Sequence, residues 1–159
     1  MAGYSGPGNG SNQLNMPWAV YVDKNEYVCV ADTDNSRIQM WAKGATRGVT
    51  VAERHDEGII VAGTGVGGSA ANQLSRSRGF VIDQRETIYI ADLWNSRIKK
   101  WKKGASEGIT VAGGNGQGLA ANQMNSPWNV EVDPYGNIYI ADTDNIRVMK
   151  WVPAATEGM

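Results

Sequence analysis

Apolar and polar positions alternate along much of this chain with a period of two. Trp128, Val130 and Val132 are separated by Asn129, Glu131 and Asp133, the pattern of a strand with one covered face. Asp133-Pro134-Tyr135-Gly136-Asn137 follows, and proline shortly ahead of glycine is turn chemistry. Ile138-Tyr139-Ile140-Ala141 is a β-branched and aromatic run suited to a second strand. Asp142-Thr143-Asp144-Asn145 reads as a polar turn and Arg147-Val148-Met149-Lys150-Trp151 as a third strand. Gly108-Ile109-Thr110-Val111-Ala112 predicts a fourth. No stretch carries apolar residues at convincing helical spacing.

The same pattern recurs. Asn12-Gln13-Leu14 returns as Asn72-Gln73-Leu74 and Asn122-Gln123-Met124. Ala31-Asp32 returns as Ala91-Asp92 and Ala141-Asp142, offsets of 60 and then 50 residues. Trp41, Trp101 and Trp151 keep this phase. The unit is therefore about fifty residues with four short strands, the signature of a propeller blade. The first copy holds ten extra residues, and Gly58-Ile59-Ile60-Val61-Ala62 nearly repeats Gly48-Val49-Thr50-Val51-Ala52. This predicts an extra rim hairpin at about 49–62.

The motif Ile-Tyr-Ile-Ala-Asp-x-x-Asn-x-Arg-Ile/Val, with tryptophan four residues after the arginine, resembles the NHL-repeat family. It occurs three times and spans essentially the whole chain. The resemblance implies an all-β fold of four-stranded antiparallel propeller blades, three per chain. It also implies a ring of six blades, strands running outward from a central channel, and most often a binding platform. The blade cores fall at about 12–52, 72–112 and 122–159 within a single unit covering 1–159. The register aligns Met1-Ala2-Gly3 with Val111-Ala112-Gly113, and Gly158-Met159 with Gly108-Ile109. Three blades do not close a ring, so the expectation is half of a six-bladed propeller completed by a second chain. A piece of a longer array is the alternative.

Composition narrows the function classes. Fifteen Lys and Arg against sixteen Asp and Glu give a net charge of −1, which argues against generic nucleic-acid binding. The 20 glycines suit a turn-rich fold. One cysteine, Cys29, precludes an intrachain disulfide. The apolar runs are strand-sized, too short for a membrane helix, and Met1–Gly8 lacks the apolar stretch of a signal peptide.

Catalytic signals are sparse. The single histidine, His55, sits in the loop Glu53-Arg54-His55-Asp56-Glu57, where three neighbouring ligands rarely face one point. No Gly-x-Ser-x-Gly elbow occurs. Gly63-Thr64-Gly65-Val66-Gly67-Gly68 lacks the Lys and Ser/Thr of a Walker motif and recurs as Gly113-Gly114-Asn115-Gly116. No catalytic residue, metal or cofactor is assigned.

Two residue sets remain. Asp32, Asn35 and Arg37, then Asp92, Asn95 and Arg97, then Asp142, Asn145 and Arg147 recur in every unit. They read as a structural turn, Asp and Asn bonding backbone and Arg clamping it. A cation-holding ring of Asp32, Asp34, Asp92, Asp142 and Asp144 is the competing use. The recurring tryptophans read as packing, and Trp18 and Trp128, after Pro17 and Pro127, as core or channel-lining. The second unit departs from the pattern: Ser77-Arg78 replaces Pro-Trp, Arg76 replaces Met16 and Ser126, and Trp94 replaces Asp34 and Asp144. Propeller topology brings Arg76, Arg78 and Trp94 to one rim, and arginine with exposed tryptophan is hot-spot composition. The expectation is a non-enzymatic binding or scaffold module for a protein or peptide. Single-stranded RNA is a weaker fit. A self-assembling unit and a lyase or hydrolase are the alternatives.

Overall fold

The computed structural model describes residues 6–45 and 62–159. The extra hairpin expected at 49–62, and His55 with it, falls almost wholly outside the described residues.

Each unit folds as an antiparallel meander. The first sheet contains β1 (Pro17–Val22), β2 (Val28–Asp32), β3 (Arg37–Trp41) and β4 (Ala62–Gly63), in that spatial order. The second contains β5 (Phe80–Ile82), β6 (Ile88–Asp92), β7 (Arg97–Trp101) and β8 (Ile109–Gly113). The third contains β9 (Pro127–Val132), β10 (Ile138–Asp142) and β11 (Arg147–Trp151). It has three strands rather than four, but Met159 exchanges two 2.9 Å backbone hydrogen bonds with Lys150. That is the place Ile109 takes beside Lys100 in the second sheet. Short 3-10 turns at Thr33–Asn35, Leu93–Asn95 and Thr143–Asn145 join the second and third strands of the sheets.

Strand alternation sends every second residue to one face of its sheet, and the sheets stack through these faces. Cys29, Ala31, Ile38 and Met40 of the first form one apolar cluster with Phe80, Ile88, Ile90 and Trp101 of the second. Tyr89, Ala91 and Ile98 on the second sheet's other face form the next cluster with Val130, Ile138, Ile140, Met149 and Trp151. The middle sheet thus meets a neighbouring sheet on both faces, and each outer sheet on one. All three repeat tryptophans, Trp41, Trp101 and Trp151, are buried.

Candidate functional site

The site is built on the edge where each chain segment enters its inner strand. In every unit the 3-10 turn returns to that entry segment. Asp34, Trp94 and Asp144 donate their backbone N–H groups to the carbonyls of Asn15, Ser75 and Asn125, each at 3.2 Å. The entry segments and the turns therefore share one rim, while the first-to-second strand turns lie at the opposite end of each sheet.

The Asp-Asn-Arg sets hold this rim together. Asp32, Asp92 and Asp142 are fully buried. One oxygen of each accepts a 2.6 Å hydrogen bond from the backbone N–H of Asn15, Ser75 or Asn125. The other accepts Nε of Arg37, Arg97 or Arg147 at 2.7 Å. The same oxygen accepts Nδ2 of Asn35, Asn95 or Asn145 at 2.8–2.9 Å. The remaining guanidinium N–H groups reach back to backbone carbonyls of the entry loop, for Arg97 those of Ser69, Ala70 and Gln73. Burial pushes the Asp92 carboxyl up, and its bonds to Asn95, Ser75 and Arg97 oppose that. This geometry is at odds with the acidic ring at the channel mouth. Three of its five carboxylates are turned into the blades and already paired, and Asp34 is paired with Arg76. Among the described residues no three His, Cys, Asp or Glu side chains gather as metal ligands.

The second unit's departures form two separate stacks rather than one. Arg76, in the left-handed region at φ 49°, lies over the Trp94 ring at 4.6 Å and pairs with Asp34 of the first sheet at 3.2 Å. Arg78 turns instead to the second residues of the neighbouring inner strands. Its guanidinium carbon sits 4.2 Å from the Trp18 ring centre and 3.9 Å from that of Trp128. The two indoles meet edge to face at 5.6 Å and are partly exposed. Trp18 and Trp128 are thus members of the site, a role hidden in the sequence because it needs contacts between three successive blades.

Gly79 makes this approach possible. Its N–H donates to the Trp128 carbonyl at 2.8 Å. A Cβ there would lie 2.6 Å from that carbonyl oxygen and 2.7 Å from Asn129 Cα, so a side chain would force the two inner strands apart. The first and third units carry Ala19 and Asn129 at this position. On the entry side, Thr33 Oγ1 donates to the Ser77 carbonyl at 2.7 Å, tying the first turn to the second entry segment. Arg78 is therefore presented from a backbone fixed on both sides.

One further group escaped the sequence reading. Lys99 is buried, donating to the carbonyls of Ala71 and Ala70 and lying 4.9 Å over the Trp101 ring. Burial, then the nearby Arg97, pushes its pKa down to about 8. Gln39 and Met149, neither of them charged, hold the equivalent places, which was the available signal. Cys29 is buried and free, its thiol pushed up to about 12 by burial and by Asp23.

Comparison with known proteins agrees with this architecture. The NHL repeat family matches residues 14–41. Among solved structures, an auxiliary nutrient binding protein from Bacteroides ovatus superposes with a TM-score of 0.60 at 16% identity, over 89% of this chain and 38% of its own. A streptogramin B lyase gives 0.56 at 9% identity, over 91% of this chain and 38% of its own. Virginiamycin B lyase from Staphylococcus aureus gives 0.54 at 11% identity, over 92% and 44%. The chain spans less than half the length of each. At these identities the likeness is one of fold. Residues 14–41 match the NHL repeat, and the chain folds as β-propeller blades, part of a propeller.

Proposed function

We propose that the chain is a non-enzymatic binding module that offers one rigid propeller rim to a protein or peptide partner. The observation that carries this reading is the pair of arginine–tryptophan stacks on the second unit, where the repeat is broken. Both stacks combine a delocalised cation with partly exposed indole, the residue types that dominate binding energy at interfaces. The rim beneath them is held by buried ion pairs, so little order has to be gained on contact. The buried Cys29 thiol with its raised pKa, and motif carboxylates already engaged by Arg and Asn, favour binding over catalysis.

A peptide array probed with the parent and with Arg76→Ala/Arg78→Ala/Trp94→Ala tests the reading. The triple variant is expected to keep its circular dichroism spectrum and lose the parent's peptide signals. Retained signals would overturn it. Selective capture of single-stranded RNA with a steep salt dependence would replace the peptide reading with a nucleic-acid one.

A second reading, self-assembly, rests on a different observation: the outward faces of the first and third sheets carry exposed apolar residues at positions buried in the middle sheet. Under it, two copies stack these faces and complete six blades.

A further inference from the structure

Among the described arginines of the rim, Arg78 stands apart in having no acceptor. Arg37, Arg97 and Arg147 each clasp an aspartate and several carbonyls, and Arg76 is paired with Asp34. The Arg78 guanidinium has no hydrogen bond or ion pair to any described residue. Its Nη1 is sealed from solvent without a partner. What it has instead is an indole at 4.2 Å and another at 3.9 Å.

Such a stack leaves a specific capacity unused. Cation–π contacts engage the face of a guanidinium, whereas its N–H donors lie in the plane, and with Nη1 sealed the donors open to a ligand are those of the Nε–Nη2 edge. Trp18 and Trp128 cover part of the cation, so an anion meeting it is less screened than at an open surface. The group is held in place by the Gly79–Trp128 backbone contact, which lowers the ordering cost of an additional bond. Of the rim acids that could serve it from within, Asp34 is already taken by Arg76, and Asp144 lies on the third turn without an ion pair among the described residues.

We propose that Arg78, held between Trp18 and Trp128, is the anchor for a carboxylate of a bound peptide. This rests on the binding-module reading and gives it a ligand class. A carboxylate is planar and presents two acceptors that match the guanidinium fork. The partly exposed indoles beside it suit the apolar stem of a glutamate or the flank of a C-terminal residue. A phosphate shares the anionic chemistry but not the planarity.

The test is isothermal titration of the parent with an acetylated, amidated Gly-Glu-Gly-Glu-Gly peptide and its Gln counterpart, with tryptophan emission as a second readout. The Glu peptide is expected to bind at least ten-fold more tightly than the Gln peptide, with affinity falling as salt rises. Arg78→Met is expected to erase that preference while the fold persists, because the side chain it removes had no polar partner. Arg78→Lys should weaken the Glu peptide by roughly ten-fold, since a point charge cannot reproduce the fork. Lys43→Met, at the opposite end of the first sheet where Lys43 pairs with Glu26, should leave the preference intact. Equal binding of the two peptides would overturn the carboxylate anchor while leaving the module reading standing. So would an unchanged preference in Arg78→Met, or displacement of the Glu peptide by inorganic phosphate at far lower concentration than by acetate. Absence of binding to both peptides overturns the anchor, and absence of any signal on the array overturns the module as well.

Discussion

Val20, Phe80 and Val130 occupy one position in three sheets, yet Val20 is 67% exposed, Phe80 9% and Val130 1%. On the opposite faces, Ile38 and Ile98 are fully buried while Val148 is 72% exposed. The strands and turns around these residues are the same. What differs is whether another sheet lies against them. At these positions burial therefore depends on the stack, as expected when each repeat contacts only its neighbours. An apolar residue at a repeat position states what its blade is built to meet, and the middle sheet shows how that meeting is made.

The largest expected effect separates the two ends of this comparison. Phe80→Ala removes a side chain inside a formed interface and should cost about 3–5 kcal/mol. Val20→Ala, on the open face, should cost under about 0.5 kcal/mol in a monomer. Chemical denaturation of both variants measures the contrast. Assembly would erase it. If a second copy covers the open faces, melting of the parent rises with protein concentration, and Val20→Asp or Val148→Asp returns the chain to a monomer in sedimentation. A parent that sediments as a monomer at micromolar concentration, with a concentration-independent melt, removes the self-assembly reading.

The strand plan was open to reading because it depends on local chemistry. Period-two alternation, Asp-x-x-Gly/Glu turns and a recurring Asp-x-x-Asn-x-Arg motif are each visible within ten residues. The partners of that motif were less visible. The clamp of Asp92 by Arg97 could be anticipated from the motif, but not what the two close on, the backbone N–H of Ser75 and the entry-loop carbonyls of Ser69, Ala70 and Gln73. Arg78 was recognised as unusual from its register with Trp18 and Trp128. That it would lie against those same two residues could not be read, since the contact depends on side-chain direction across three blades and on the close approach allowed by Gly79. Lys99 was missed for the opposite reason: in Arg97-Ile98-Lys99-Lys100 it resembles a solvated charge, although alternation puts it on the face of Trp101.

Lys99 supplies the next test, one of pH. It is absent in kind from the other sheets, where Gln39 and Met149 fill its place. Its pKa falls from 10.5 in an ordinary lysine to about 8 in the folded protein. Folding thus favours the neutral amine, and between about pH 8 and 10.5 the unfolded chain binds more protons than the folded one. Stability contributed by this group accordingly rises with pH across that window and is lowest below it, where the buried amine is charged. Lys99→Met, copying the third sheet, should remove this rise, so that parent and variant diverge most below pH 8. Thermal melts at pH 7 and pH 10 measure it, and a parent whose response matches that of Lys99→Met would return Lys99 to an ordinary, solvated lysine.

The smallest effect concerns one backbone position seen in covered and open settings. Ser36, Ser96 and Ile146 all end a 3-10 turn in the left-handed region, with φ of 50°, 48° and 53°. A β-branched residue is poorly suited to that region, and such strain costs of order 1–3 kcal/mol. Ile146 is 94% exposed, so packing offsets little of that cost. Ser96 is buried, its carbonyl accepting the Gly114 N–H at 2.9 Å as the next entry loop passes over it. Ile146→Asn, which tolerates this conformation, should therefore stabilise the isolated chain by about 1 kcal/mol. Ser96→Ile should cost more than that gain, because it adds the same strain beneath a loop that leaves no room for the side chain. Denaturant midpoints of the two variants decide the matter. If Ile146→Asn is instead destabilising at high protein concentration and stabilising at low, the isoleucine is covered in an assembly, and the open face is an interface.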